Sequence, residues 1–308
     1  MHETIVVGAG PAGLSAALTL GRARRQVLLL DGGAARHQRS DGVHLLLSRD
    51  GMTPPELRAA ALADLAAYPS VHIRAAWATR ASGDLGCFSV TLHDGSDVQA
   101  QRLVLASGVR DILPQLEGLE RMWGRGVPHC VYCHGYERIG AAVAVLVLTP
   151  FDLHQALHLT RFSDDVVACT NAAVESDELR ELLDRHGVAL REEKLVRLEG
   201  RGAELERLVF ADGSTLARDV LFCHPTTCQG SGLAASLGCE LLPDGSVEVD
   251  PLGRTSVPGV YAAGDMARCS HADRQHRVPI AAAAGVTAAV AADQELLNTA
   301  FYDRPETT

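Results

Sequence analysis

The chain has 308 residues, 47% of them hydrophobic and 21% charged, and a formal net charge of −10 at pH 7. That length supports two domains, each with a proper core. The acidic balance, with no block of lysines and arginines, argues against a nucleic-acid or anionic-membrane partner.

Glycines at a phosphate-binding spacing begin at Gly8, so no removable leader is expected. Eight cysteines without a leader imply mostly free thiols in a reducing cytoplasm. No apolar run is expected to cross a membrane, because the alanine-rich stretch 280–292 is short and weakly apolar.

Residues 4–7 form a β-branched run, read as a buried parallel strand. It feeds Gly8-Ala-Gly10-Pro11-Ala12-Gly13 and an alanine- and leucine-rich helix to residue 20. Gly8 permits the tight turn, Gly10 lets backbone amides approach a pyrophosphate, and Gly13 allows close helix–strand packing. A second strand, 27–30, ends at Asp31, where a ribose hydroxyl needs an acceptor. Residues 32–52 are polar and read as a loop. Pro54-Pro55 opens a helix through residue 68. Alternating patterns at 71–76, 87–93 and 98–105 predict an antiparallel sheet inserted in the dinucleotide fold. The last of these continues as a buried strand into Ala-Ser-Gly108.

Next comes Cys130-Val-Tyr-Cys133-His134-Gly-Tyr136. In a chain of intracellular character, C-x-x-C reads as redox or metal chemistry in preference to a structural staple. Zinc needs a second ligand pair, and Cys223-His224 with Cys228 fits a zinc ribbon poorly; no metal centre is expected. Beyond the cysteines, 141–148 is an apolar strand, 151–162 a helix and 166–169 a strand, repeating the N-terminal plan without its glycines. At the turn the chain reads Val147-Leu148-Thr149-Pro150-Phe151-Asp152. Side chains there block close backbone approach, and Asp152 repels a phosphate. The following strand ends in Thr170-Asn171-Ala172, with no arginine pair for a 2′-phosphate. Ser176 opens a helix that stops at Gly187. Residues 205–210 and 215–222, around Asp212-Gly213, predict a hairpin. A buried strand then ends in Gly264-Asp265, and Pro279 starts a small-residue helix to about residue 298.

Gly8–Gly13, the strand ending in Ala-Ser-Gly108, Cys130-x-x-Cys133 and Gly-Val-Tyr-Ala-Ala-Gly264-Asp265 resemble, in order and spacing, the low-molecular-weight thioredoxin reductases. The resemblance implies an α/β protein of two Rossmann-like domains and a homodimer. FAD is expected in a discontinuous domain, 1–116 plus 236–308. The inserted unit, 117–235, carries the C-x-x-C and has a degenerate NADPH site. Expected FAD-binding residues are Gly8, Gly10, Pro11, Ala12, Gly13, Asp31, Gly108, Gly264 and Asp265, with Asp265 on the ribityl chain. The reductases have an acidic residue after the second cysteine; here it is His134. With the NADPH motifs gone, the chain resembles the branch of gliotoxin, holomycin and romidepsin dithiol oxidases, which use oxygen. The implied activity is oxidation of a small-molecule dithiol, with O2 giving hydrogen peroxide. Two alternatives stay open, a reductase fed by ferredoxin or another protein, and a flavoprotein redox sensor.

By resemblance, Cys133 lies toward the flavin and Cys130 toward substrate. His134 is the expected base for an incoming thiol, or a residue capping a turn. His129 assists it or is a bystander. Cys87, Cys169, Cys223, Cys228, Cys239 and Cys269 are expected to pack as small hydrophobes, with a secondary Cys223/Cys228 dithiol as the alternative. His271 and His276 lie in a polar loop that shapes a pocket or is plain surface.

Overall fold

The computed structural model describes residues 1–33, 35–171 and 177–301. The chain divides into two units: Met1–Gln38, Pro55–Arg110 and Thr227 onward form one, and Arg39–Pro54 with Asp111–Thr226 the other.

In the first unit, residues 5–7, 27–30 and 103–105 are continuous apolar, buried runs at the ends of or through their strands. That is the composition of parallel strands covered on both faces. The sheet runs Val71–Ala75, Val27–Asp31, His2–Val7, Asp97–Leu105, Cys87–Leu92, Ala78–Asp84, with Val260–Ala262 also paired to Asp97–Leu105. Val71–Ala75 is a parallel neighbour of Val27–Asp31, which corrects its expected antiparallel pairing. It is an edge strand with Ile73 exposed, and the alternation reported a wet face without fixing a direction. The antiparallel part is Ala78–Asp84, Cys87–Leu92 and the start of Asp97–Leu105.

Two helices, Pro11–Arg22 and Val278–Phe301, pack together. A Cβ on Gly285 would lie 2.0 Å from the Ala12 carbonyl oxygen, so the backbones nearly touch. Leu20, Leu29, Ala288, Ala289 and Ala292 are fully buried in this layer. Each fully buried leucine contributes about 2 kcal/mol relative to exposure. The C-terminal helix spans 24 residues and is long and apolar enough to cross a membrane by length and composition, which corrects the expectation of too short a stretch. Its apolar residues Ala281, Ala288, Ala289, Ala291, Ala292 and Leu296 serve the core of this unit.

The second unit holds a parallel sheet in the order Val188–Arg191, Val166–Cys169, Val143–Leu146, Val220–Cys223. Beside it Leu195–Glu199, Arg207–Phe210 and Thr215–Ala217 form an antiparallel sheet. The expected strand 215–222 is therefore two strands. Asp219 ends the hairpin: its carboxylate accepts the Ala142 amide at 2.7 Å, and its own amide donates to the Ala142 carbonyl. This steers Val220–Cys223 into the parallel sheet. The two longer helices described here are Pro150–Leu159 and Asp177–Arg185; the expected start at Ser176 and the residue Ala172 lie outside the described residues.

Candidate functional site

In the first unit the His2–Val7 strand turns through Gly8, whose φ is +106° and whose Cβ would meet the Ala106 carbonyl oxygen at 2.4 Å. A Cβ at Gly13 would overlap the Gly8 oxygen at 1.7 Å. Gly10 faces open space, with nothing within 4 Å of its Cβ position. It is the N-cap of the Pro11–Arg22 helix; no side chain caps that end, and its first turn holds no acid. The helix therefore presents free amides and its positive dipole end, the preferred seat of a diphosphate.

Other groups converge on this end. Ala12 packs below Gly264, whose Cβ would lie 2.9 Å from the Ala12 Cβ and 3.7 Å from that of Ala281. The first turn of Val278–Phe301 thus sits against the Gly264–Met266 turn. Asp31 receives the Gly33 amide at 2.9 Å and is ion-paired with Arg58, which also donates to the Ala9 carbonyl at 3.2 Å. Asp265 pairs with Arg36 at 3.0 Å. Neither arginine was expected from the sequence. Burial pushes the His37 imidazole below its ordinary range, with Asp265 opposing. Gly108 follows the Asp97–Leu105 strand with φ +64°, and its carbonyl accepts the Gly230 amide.

In the second unit Cys130 and Cys133 form a disulfide, Cα to Cα 5.2 Å. Cys130 is the N-cap of a one-turn helix, Val131–His134, and its Sγ accepts the Cys133 amide at 3.1 Å. The segment is anchored on the Pro150–Leu159 helix. Gln155 donates to the His129 carbonyl at 2.7 Å, Tyr132 meets His158 edge-on at 4.8 Å, and Val131 enters the core. His129 stacks near Trp123 at 5.8 Å. Both ring nitrogens of His134 are buried, without a hydrogen-bond partner among the described residues. Burial pushes this imidazole below its ordinary range; Glu137 opposes that, while Arg138 and His44 add to it. His134 is thus an uncharged base at neutral pH, directly after Cys133.

The turn before Pro150–Leu159 occupies the place of the glycine loop. Here Oδ2 of Asp152 accepts the Leu148 amide at 2.9 Å, the Thr149 amide at 2.7 Å and the Thr149 hydroxyl at 3.0 Å. Asp152 is 1% exposed. The carboxylate reaches back over its own helix end, as in half of a capping box. It takes up backbone donors at a helix N-terminus, the kind of end that can otherwise hold a phosphate.

Several expected residues lie elsewhere. Cys169 and Cys223 are sheet-core thiols pushed up to about 12 by burial. Cys223 is fully buried, so the secondary-dithiol reading loses its exchange thiol. Cys87, expected to pack inside, is exposed, and Cys228 and Cys269 are half-buried. Cys87 begins its strand directly after the Gly86 turn, opposite Asp84 at the turn end of the hairpin. His271 is exposed in the polar loop before the last helix.

A dinucleotide cradle and a C-x-x-C disulfide in one chain define a nucleotide-dependent disulfide oxidoreductase. The family model for pyridine nucleotide-disulphide oxidoreductases matches residues 2–295, and the chain belongs to that family, among its thioredoxin-reductase-like FAD flavoproteins. It is 32% identical over 280 residues to the thioredoxin reductase tcpT of Claviceps purpurea, covering 85% of this chain and 86% of that protein. The crystal structure of HlmI matches with a TM-score of 0.91 at 35% identity, over 98% of this chain and 94% of that one. An oxidoreductase from Agrobacterium tumefaciens matches with a TM-score of 0.89 at 35% identity, over 96% and 98%.

Members of this family bind FAD in the first Rossmann-like domain, and the residues here fit it. The open Gly10 end suits the diphosphate. Asp31 and Asp265 keep acceptor positions for ribose and ribityl hydroxyls beside their arginine partners, since a carboxylate offers about four lone-pair sites.

Proposed function

We propose that this protein is an FAD-dependent dithiol oxidase acting on a small-molecule dithiol in the cytoplasm. The observation that carries this reading is His134, an uncharged imidazole whose ring nitrogens are buried without a hydrogen-bond partner among the described residues, directly after the second redox cysteine. It suits proton removal from an incoming thiol. Likeness to HlmI goes together with the resemblance to dithiol oxidases carried by the C-x-x-C-His segment.

His134 takes a proton from one substrate thiol, and the thiolate attacks Cys130 in the disulfide. Cys133 leaves as a thiolate. The second substrate thiol, its proton lost to solvent, then attacks the mixed disulfide at the substrate sulfur and releases Cys130, whose thiolate the Cys133 amide stabilises. The substrate departs as a disulfide. FAD, for which Gly10, Asp31 and Asp265 would form the cradle, would supply the two-electron acceptor that returns the cysteines to the disulfide, with oxygen as the final acceptor giving hydrogen peroxide. A small-molecule dithiol in aerated buffer should therefore yield one disulfide and one peroxide per turnover. Flavin that stays oxidised, with no peroxide, while a reduced protein donor drives disulfide reduction would replace this reading with that of a protein-fed reductase.

The second unit is not a pyridine-nucleotide site in this reading. Bringing a pyrophosphate to the Pro150–Leu159 helix means displacing the Asp152 carboxylate from three donors and placing like charges together. Each charged hydrogen bond lost costs about 1.5–3 kcal/mol. NADPH and NADH should neither bleach the flavin under anaerobic conditions nor bind at micromolar concentration by calorimetry. Rapid bleaching by NADPH would contradict this directly.

A further inference from the structure

Neither the redox pair nor the cofactor cradle explains the surroundings of Glu137. This residue stands three positions beyond His134, in the one-turn helix Tyr136–Arg138 that continues the cysteine segment. Its Oε1 lies 3.5 Å from Nε2 of His44. The other ring nitrogen, Nδ1 of His44, lies 3.4 Å from Oδ2 of Asp50, while Oδ1 of Asp50 accepts the Leu45 amide at 2.8 Å. The His44 side chain is 19% exposed against 67% for Asp50 and 40% for Glu137, so the imidazole is the inner member of an Asp50–His44–Glu137 chain.

The loop bearing His44 is a built structure. Val43 and Met52 pair across its neck, with the Val43 amide 2.8 Å from the Met52 carbonyl oxygen and the Gly51 amide 2.9 Å from that of Val43. Inside it Leu45 and Ser48 hold left-handed backbone, at φ of 68° and 70°. Non-glycine residues keep that conformation where their surroundings hold it, and such positions cluster at functional sites. All of these residues belong to the unit that carries the cysteines.

Among the described residues, no carboxylate is hydrogen-bonded to His134 as one is to the catalytic histidine of the Ser-His-Asp pattern. Glu137 favours the protonated ring, and Arg138 and His44 oppose it; the Cys130 carbonyl also favours it, without a well-formed hydrogen bond.

We propose that Glu137 is a positioning residue: through His44 it fastens the 40–53 loop onto the cysteine segment, and its carboxylate, three positions along that segment, supplies negative charge to His134 when that ring takes up a proton. The second role deepens the dithiol-oxidase reading and rests on it for its catalytic meaning; the fastening does not.

The test is made on the FAD-loaded protein in its disulfide form. The ring signal of His134, identified by its loss in His134→Gln, is titrated by NMR. Removing the anion makes the protonated ring less favourable, so Glu137→Gln should lower the His134 midpoint by about half a pH unit, and Glu137→Asp should recover most of that shift. Trypsin cleavage after Arg49 reports the loop. Glu137→Gln and His44→Gln should each speed it several-fold while sparing the remaining arginine sites. Dithiol turnover should follow, with the acid limb of the Glu137→Gln profile moved to lower pH by the same amount. An unmoved His134 midpoint, or an unchanged cleavage rate at Arg49, would overturn the proposal. Wild-type protein that makes no peroxide from dithiols while both physical readouts respond would overturn the oxidase reading and leave the fastening in place.

Discussion

Cys130→Ser and Cys133→Ser should each lose dithiol turnover to below detection while still binding FAD. Neither variant can close the ring that stores the electron pair, and the residues proposed to hold FAD, Gly10, Asp31 and Asp265, belong to the first unit. A difference between the two should appear with a linear disulfide such as cystamine. In Cys133→Ser the lone Cys130 thiol keeps the backbone amide of residue 133 as its donor. That amide lies 3.1 Å from the sulfur in the wild type and favours the thiolate, the reactive form. Cys133→Ser should therefore collect one mixed disulfide per chain, read by intact mass and released by reductant. Cys130→Ser, without that donor, should collect it far more slowly. The reverse order of capture would exchange the two cysteine roles. Residual turnover in either variant would remove the ring from the chemistry.

The parts legible in the sequence are those fixed by local chemistry. Gly8 and Gly13 are required by atoms that would collide with any side chain, and such positions announce themselves as glycine. The acid at Asp31 stands at the end of its strand for a similar reason, since strand length sets where the acceptor emerges. Asp152 was legible as an obstacle but not as a cap. Its three hydrogen bonds show that the helix end is satisfied from within.

What escaped the sequence is long-range. Arg36 reaches Asp265 across 229 positions, and Arg58 reaches Asp31 across 27. An arginine in a polar stretch carries no local mark of the carboxylate it will meet. The same holds for His44 and Glu137, which come together only because the 40–53 loop joins the second unit. Strand direction also escaped. The half-wet edge at Val71–Ala75 gives the same residue pattern whether its neighbour runs parallel or antiparallel. At Asp219 one carboxylate redirects the chain, and nothing in the apolar run after it marks the change of sheet.

His134→Ala should keep FAD and the disulfide but slow dithiol oxidation near neutral pH by about a hundredfold, the usual share of a positioned general base. The sign of its pH dependence follows from burial. Desolvation disfavours the charged ring, so the His134 midpoint lies below the ordinary histidine range despite the opposing Glu137. The imidazole is then the free base at pH 7 and loses that function only as pH falls through the lowered midpoint. The wild-type rate under limiting dithiol should hold level from neutral pH into mild acid and then drop. The alanine variant should lack this acid limb. Its rate should instead climb with pH toward the thiol range, since only substrate already ionised can attack Cys130. At high pH the two profiles should converge, because the thiolate no longer needs a base. A turn-capping role predicts otherwise, with a uniform loss at every pH accompanied by reduced thermal stability of the second unit. Parallel profiles for wild type and variant would assign His134 to structure and remove it from the proton transfer.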